Sequence, residues 1–169
     1  MNDIFNVRRS ADSDDVLKCL NGQFYKVATL SAAAETIEDT QSGTLFIVDT
    51  SATGANLVIS LPACAAGLHY RFFMKAAGSQ IVHIDAKNVT SGTNDDFLGY
   101  IRDAESATET QVAYNGSSHN QITIGASYDA GDYFEIVGTD ANQWLIIPSS
   151  VSADIGEIAA ANSSANTAE

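Results

Sequence analysis

Between residues 23 and 147 the chain is cut into short β-branched and aromatic runs by Gly, Ser, Asn and Asp, and this punctuation leaves no room for long helices. The strand candidates are QFYKVATL (23–30), TLFIVDT (44–50), NLVISLP (56–62), HYRFFMKA (69–76), QIVHIDA (80–86), TQVAYN (110–115), QITIG (121–125), DYFEIVG (132–138) and QWLIIP (143–148). Runs of this length and spacing predict an all-β fold, an antiparallel β-sandwich or a jelly-roll-like barrel.

Within the runs the period is two. Ile81, His83 and Asp85 share one face of their strand while Val82 and Ile84 take the other; Tyr133, Glu135 and Val137 likewise oppose Phe134 and Ile136. Leu45, Phe46, Ile47 and Val48 instead form an unbroken apolar run, which implies a strand covered on both faces or one placed at a subunit contact. Asn115-Gly116 and Gly138-Thr139-Asp140 lie between runs and predict antiparallel hairpins, because Gly tolerates the positive φ of tight turns. Only SAAAETIED (31–39) offers a helical turn, with Ser31 placed to cap it.

The two ends lack this patterning. Residues 1–22 read as an N-terminal arm, in which Arg8 and Arg9 precede the acidic cluster Asp12, Asp14 and Asp15. The β domain then spans 23–148, and the Ser-, Ala- and Asn-rich stretch 149–169, which has no aromatic residue, reads as a flexible low-complexity tail. Residues 88–109 read as a polar surface excursion around an apolar island of Phe97, Leu98, Tyr100 and Ile101. A chain of 169 residues suits one such domain, since folding at this size buries roughly 70% of the surface of the unfolded chain.

Charge narrows the partners. Eight Lys and Arg stand against 21 Asp and Glu, a net charge of −13. That balance repels phosphate backbones and anionic lipid over a Debye length of about 8 Å, so neither nucleic acid nor membrane is an expected partner. It also keeps the protein soluble at high concentration, as suits a component made in many copies. The start, MNDIFNVRRSADSDD, has no apolar leader, and no run approaches the ~20 apolar residues of a membrane helix, so synthesis and folding in a cytoplasm are expected. Cys19 and Cys64 stand far apart without neighbouring ligands and read as buried thiols.

Chemical motifs are absent: there is no G-x-S-x-G elbow, P-loop, dinucleotide fingerprint, H-E-x-x-H or C-x-x-C. His83 and Asp85 share a strand face and would need a serine from elsewhere to form a triad; a surface hydrogen-bonded pair is the simpler reading. Asp12, Asp14 and Asp15, and separately Asn94, Asp95 and Asp96, carry hard oxygen ligands of the kind calcium uses, but without EF-hand spacing, and solvated turns explain them. A two-carboxylate hydrolase built on Asp95 or Asp96 would also require a cleft. Tyr100, Tyr114 and Tyr128 could stack on a sugar, although core or interface packing is the commoner fate of tyrosine, and Trp144 reads as a structural anchor. No catalytic, cofactor or metal residue is expected.

The stretches SGTLFIVDTSATGANLVISLPACAAGLHYRFFMKAAGSQIVHIDA (42–86) and QITIGASYDAGDYFEIVGTDANQWLI (121–146) order their parts as strand, Thr/Gly turn, S-L-P corner, aromatic strand and a G-D-Y-F-E-I-V ending before a tryptophan. This order, over less than half of the chain, resembles small β-rich virion proteins of tailed bacteriophages of the head decoration, or cement, type. The resemblance implies a non-enzymatic protein on the outer capsid surface, forming a homotrimer and stabilising the shell by bridging major capsid proteins. Fibre and tail components share the style, which leaves binding to a host receptor or glycan as the alternative. Arg8 and Arg9, the only adjacent basic pair, are the candidate capsid contact. Leu45, Phe46, Ile47 and Val48, with Phe72, Phe73 and Met74, are the candidate oligomer contact.

Overall fold

A computed structural model describes residues 26–78, 80–86, 95–103, 110–140, 142–152 and 155–159. The strands are β1 Val27–Leu30, β2 Ala34–Thr36, β3 Leu45–Val48, β4 Leu57–Ser60, β5 His69–Met74, β6 Val82–Asp85, β7 Asp96–Asp103, β8 Thr110–Asn115, β9 His119–Ile124, β10 Tyr133–Gly138, β11 Gln143–Val151 and β12 Ile155–Ala159. Each of the nine predicted runs coincides with or overlaps one of them, and the protein is all-β.

The strands form a seven-stranded sheet, β1-β3-β5-β10-β11-β7-β8, and a five-stranded sheet, β12-β9-β6-β4-β2. Both sheets are mixed, which corrects the antiparallel expectation. The physical reason lies in the first six strands, which alternate between sheets. Strands adjacent in a sheet are therefore two apart in sequence, and each returns in the same direction: β1, β3 and β5 pair in parallel, as do β2, β4 and β6. β9 pairs antiparallel with β6, and β10 antiparallel with both β5 and β11, while β11 lies parallel to β7.

Local chemistry makes the crossings. After β1, the Glu35 carboxylate accepts the Ser31 and Ala32 N–H groups at 3.0 and 2.9 Å, folding a tight corner into β2. The helical turn expected over 31–39 is thereby replaced by a short strand on β4, and only Asp39–Gln41 winds as a single 3₁₀ turn. After β3, Asp49 caps a 3₁₀ turn at Thr50–Ala52 and also takes the Lys75 ammonium at 2.7 Å. These bonds hold its carboxyl down at about 2, the Lys75 hydrogen bond contributing most. Asn115 Oδ1 accepts the Ser117 and Ser118 N–H groups, and Gly116 adopts φ +71°, but the turn carries the chain from β8 to β9 in the other sheet. It is a corner, not the predicted hairpin. Gly138-Thr139-Asp140 does make its hairpin, joining antiparallel β10 and β11.

Two further expectations change. The island inside 88–109 is β7, an internal strand parallel to β11 and antiparallel to β8. Gly99 permits it: at φ +125°, a Cβ there would lie 2.9 Å from the Ile146 carbonyl, beside the irregularity between Leu145 and Ser149. The stretch assigned to the tail contributes the end of β11 and β12, which pairs with β9, so the sheets extend past residue 148. The N-terminal arm, with Arg8, Arg9, Asp12, Asp14 and Asp15, lies outside the described residues, as do Cys19 and Asn94.

Buried side chains of both sheets form one core. Through it runs a chain of aromatic contacts from Phe134 to Phe72 (4.8 Å), Phe46 (5.8 Å), Tyr70 (6.1 Å) and Trp144 (5.6 Å). Each such side chain stabilises the fold by about 1.5–3 kcal/mol through burial alone. Trp144 is the anchor expected of it. Among the described residues no helix is long and apolar enough to cross a membrane.

Candidate interaction faces

The run Leu45–Val48 resolves into two sets. Phe46 and Val48 point inward and are fully buried, whereas Leu45 and Ile47 are half-buried on the outer face of the seven-stranded sheet. The same parity splits the neighbouring strand: Phe72 and Met74 belong to the core and Phe73 points outward. Phe46, Val48, Phe72 and Met74 are therefore corrected from candidate contact to interior, because alternation leaves only every second residue for the surface. Leu45, Ile47 and Phe73 remain half-buried on the outer face.

Ladder register extends this face across the sheet. Ile47, Phe73 and Tyr133 lie in one cross-strand row; Val27, Leu45, Arg71, Glu135 and Ile147 lie in the next; His69, Val137, Leu145 and Leu98 follow. Val27 is 60% exposed, Leu98 and Tyr100 are each 37% exposed and Tyr133 36%.

The polar groups at its centre are held within the chain. His69 Nε2 lies 2.7 Å from Glu135 Oε1, the Tyr133 hydroxyl donates to Glu135 Oε2, and an Arg71 guanidinium nitrogen donates to the Gly43 carbonyl at 2.8 Å. Arg71 is buried as a whole, guanidinium included, within this polar row.

The five-stranded sheet presents a different outer face. His83 and Asp85 do lie on it together, but Asp85 accepts from Gln121 Nε2, and the His83 ring meets Thr123 Oγ1 at 3.2 Å. Ser60 stands opposite Asp85 in the ladder, and Val58 stands opposite His83. A serine is thus beside the acid and not beside the imidazole, the wrong order for nucleophile activation. Burial lowers the His83 pKa, partly offset by Asp85 and Gln121. The row is a closed hydrogen-bond network.

Asp95 and Asp96 point to opposite sides of their strand and share no ligand pocket; among the described residues no group of three or more His, Cys, Asp or Glu is arranged to hold a metal. Asp95 is fully buried, accepts the Cys64 N–H at 2.6 Å, and its pKa is raised chiefly by burial. Cys64 is a buried free thiol, pushed up to about 12 by burial and by Asp95, which leaves it unreactive. Of the three tyrosines considered for sugar stacking, Tyr114 and Tyr128 are core residues and only Tyr100 reaches the surface.

Sequence reasoning reached Leu45, Ile47 and Phe73 but did not join them to Tyr133, Val137, Leu145, Ile147, Leu98 and Tyr100. A signal existed: Leu145-Ile146-Ile147 is another unbroken apolar run, and Val137 sits on the solvent parity of its strand. Fold and surface together define an all-β protein of two mixed sheets, the larger of which carries apolar residues around a polar centre on its outer face. No protein-family model matches the chain, and comparison with curated proteins finds no relative.

Proposed function

We propose that this protein is a non-enzymatic structural component of a virion, a decoration protein that binds the outer surface of a phage capsid and stabilises the shell. The two sheets are read as the layers of a β-sandwich that carries the docking surfaces. The observation that carries the reading is the group of exposed large hydrophobics Val27, Leu98, Tyr100 and Tyr133 on the outer side of the seven-stranded sheet, residues of the kind found at interfaces. The polar row on the other sheet is closed on itself, and the segments resembling phage virion proteins supply β3 to β6 and most of β9 to β11.

Stabilisation would follow mass action. A ligand that binds only the mature lattice stabilises it by RT ln(1 + [L]/Kd), about 2.7 kcal/mol per site at a hundredfold excess over Kd. The major capsid protein is the partner in this reading. The test is co-sedimentation of the full chain with shells that lack it, followed by their heat and osmotic resistance. Saturable binding and later rupture are expected. Shells that neither bind the protein nor gain resistance, or saturable binding to host cells instead, would overturn the reading.

A further inference from the structure

We propose that Asn115-Gly116 is a latent modification site: an asparagine set to lose its side-chain amide by cyclising onto the next backbone nitrogen, which β7 and β11 withhold while the corner is closed. Water is the only co-reactant, and the product is aspartate or isoaspartate.

The chemistry begins with the dipeptide. The Gly116 nitrogen gives its proton to solvent hydroxide and attacks Asn115 Cγ. A five-membered succinimide closes, the Cγ–Nδ2 bond breaks, and the amide nitrogen takes a proton from water and leaves as ammonia. Water then adds to either carbonyl of the ring and opens it. The sum is one water consumed and one ammonia released, with no change of oxidation state. Glycine is the follower that least obstructs this closure, because it has no Cβ and the widest backbone freedom.

The fold demands both residues. Asn115 Oδ1 accepts the Ser117 and Ser118 N–H groups at 2.9 and 3.0 Å and the Ser117 hydroxyl at 3.3 Å, and so shapes the corner from β8 to β9. At position 116 a Cβ would lie 3.1 Å from Gln143 Nε2 and 3.2 Å from the Leu98 side chain. The bonds that shape the corner also prepare the electrophile. Three donors on Oδ1 stabilise the negative charge that this oxygen gains when Cγ is attacked, and Ser118 Oγ accepts from the departing Nδ2 at 2.8 Å.

The nucleophile is what the structure holds back. Asn115 is exposed but Gly116 is buried, and the Gly116 N–H donates to the Phe97 carbonyl of β7 at 2.8 Å. The Gly116 carbonyl accepts Gln143 Nε2 of β11, also at 2.8 Å. While the first bond stands the nitrogen cannot surrender its proton to solvent, and the second keeps the residue from turning away. Parting them inside the fold would strand buried polar groups, which is costly. Cyclisation therefore proceeds from states in which the corner has lifted off β7 and β11, and its rate reports how often that occurs. Isoaspartate routes the main chain through Cβ and lengthens it, so the corner cannot regain its register and the opening is recorded permanently.

The test is incubation of the full chain in heavy-oxygen water at mildly alkaline pH, with and without guanidinium chloride. Peptide mapping by mass spectrometry follows the label at Asn115 and separates it from the second Asn-Gly pair, Asn21-Gly22, which lies outside the described residues. The unfolded chain should take up label at Asn115, and the folded chain should do so at least about tenfold more slowly. Gln143→Ala, folded by circular dichroism, should react at least about threefold faster than the folded parent and no faster than it in denaturant. The comparison of folded with unfolded parent needs no variant. A folded parent that reacts as fast as the unfolded chain, an Asn115 that stays unlabelled in denaturant, or a folded Gln143→Ala chain that reacts no faster than the parent would overturn the proposal.

Discussion

Phe72 and Phe73 are adjacent in sequence and opposite in fate, so replacing each by alanine separates core from face. Phe72 is fully buried and stacks on Phe134 at 4.8 Å and Phe46 at 5.8 Å. Its truncation opens a cavity among rigid aromatic rings; the expected cost is about 3–5 kcal/mol, at the upper end because two ring contacts are lost. Phe73 loses packing on one half-buried side, a cost of about 1 kcal/mol. For a chain of this length these losses correspond to falls in Tm of roughly 6–20 °C and 2–4 °C. Urea unfolding followed by far-ultraviolet circular dichroism at low micromolar concentration measures both, and an unchanged slope confirms the same transition. Equal losses of stability in dilute solution, or a larger loss for Phe73→Ala, would refute the assignment of faces.

Gly138→Ala should cost about 2–4 kcal/mol in the same assay: a Cβ there would meet the Ala65 carbonyl oxygen, and the strand cannot retreat without breaking its hydrogen bonds to Gly67 and Leu68. Asp49, whose folded pKa of about 2 lies below the ordinary 3.8, contributes stability that is present above pH 4 and lost as pH falls toward 2. Lys75→Met should flatten the melting profile in that window, and an unaltered acid limb would contradict the role given to the pair. Asp95 has the opposite sign: its raised pKa means the native state holds the proton more tightly, so stability declines as pH rises from about 4 through the folded value. Asp95→Asn should remove that decline, as thermal melts between pH 4 and 7 would show; an undiminished slope would place its origin elsewhere.

Much of the fold is legible before any coordinates are consulted. Alternation with period two, bounded by Gly, Asn, Asp and Ser, locates strands because it reflects how a pleated backbone presents side chains, a property of a few consecutive residues. The nine strands found this way include all but β7 of those that form the outer face of the seven-stranded sheet, and Leu45–Val48 is marked as either doubly covered or at a contact. The strands that escaped are those whose local signal is weak. β2 is three residues long, β7 carries Gly99 and polar flanks, and β12 has no aromatic residue.

Pairing is another matter. The same alternating run serves a hairpin or a crossover to the other sheet, because the backbone donors and acceptors of a strand accept any neighbour in register. Asn115-Gly116 has the chemistry of a hairpin and makes a corner; Ser31 to Glu35 has the composition of a helical turn and makes another. So the chain by itself determined an acidic all-β protein, its main strands and, in the cleanly alternating runs, which side chains share a face. Only tertiary structure decided that the first six strands alternate between sheets and pair in parallel, and that β7 enters the seven-stranded sheet. It alone gathered Leu45, Phe73, Tyr133 and Ile147 onto one surface, because ladder register joins residues that no local interaction can bring together.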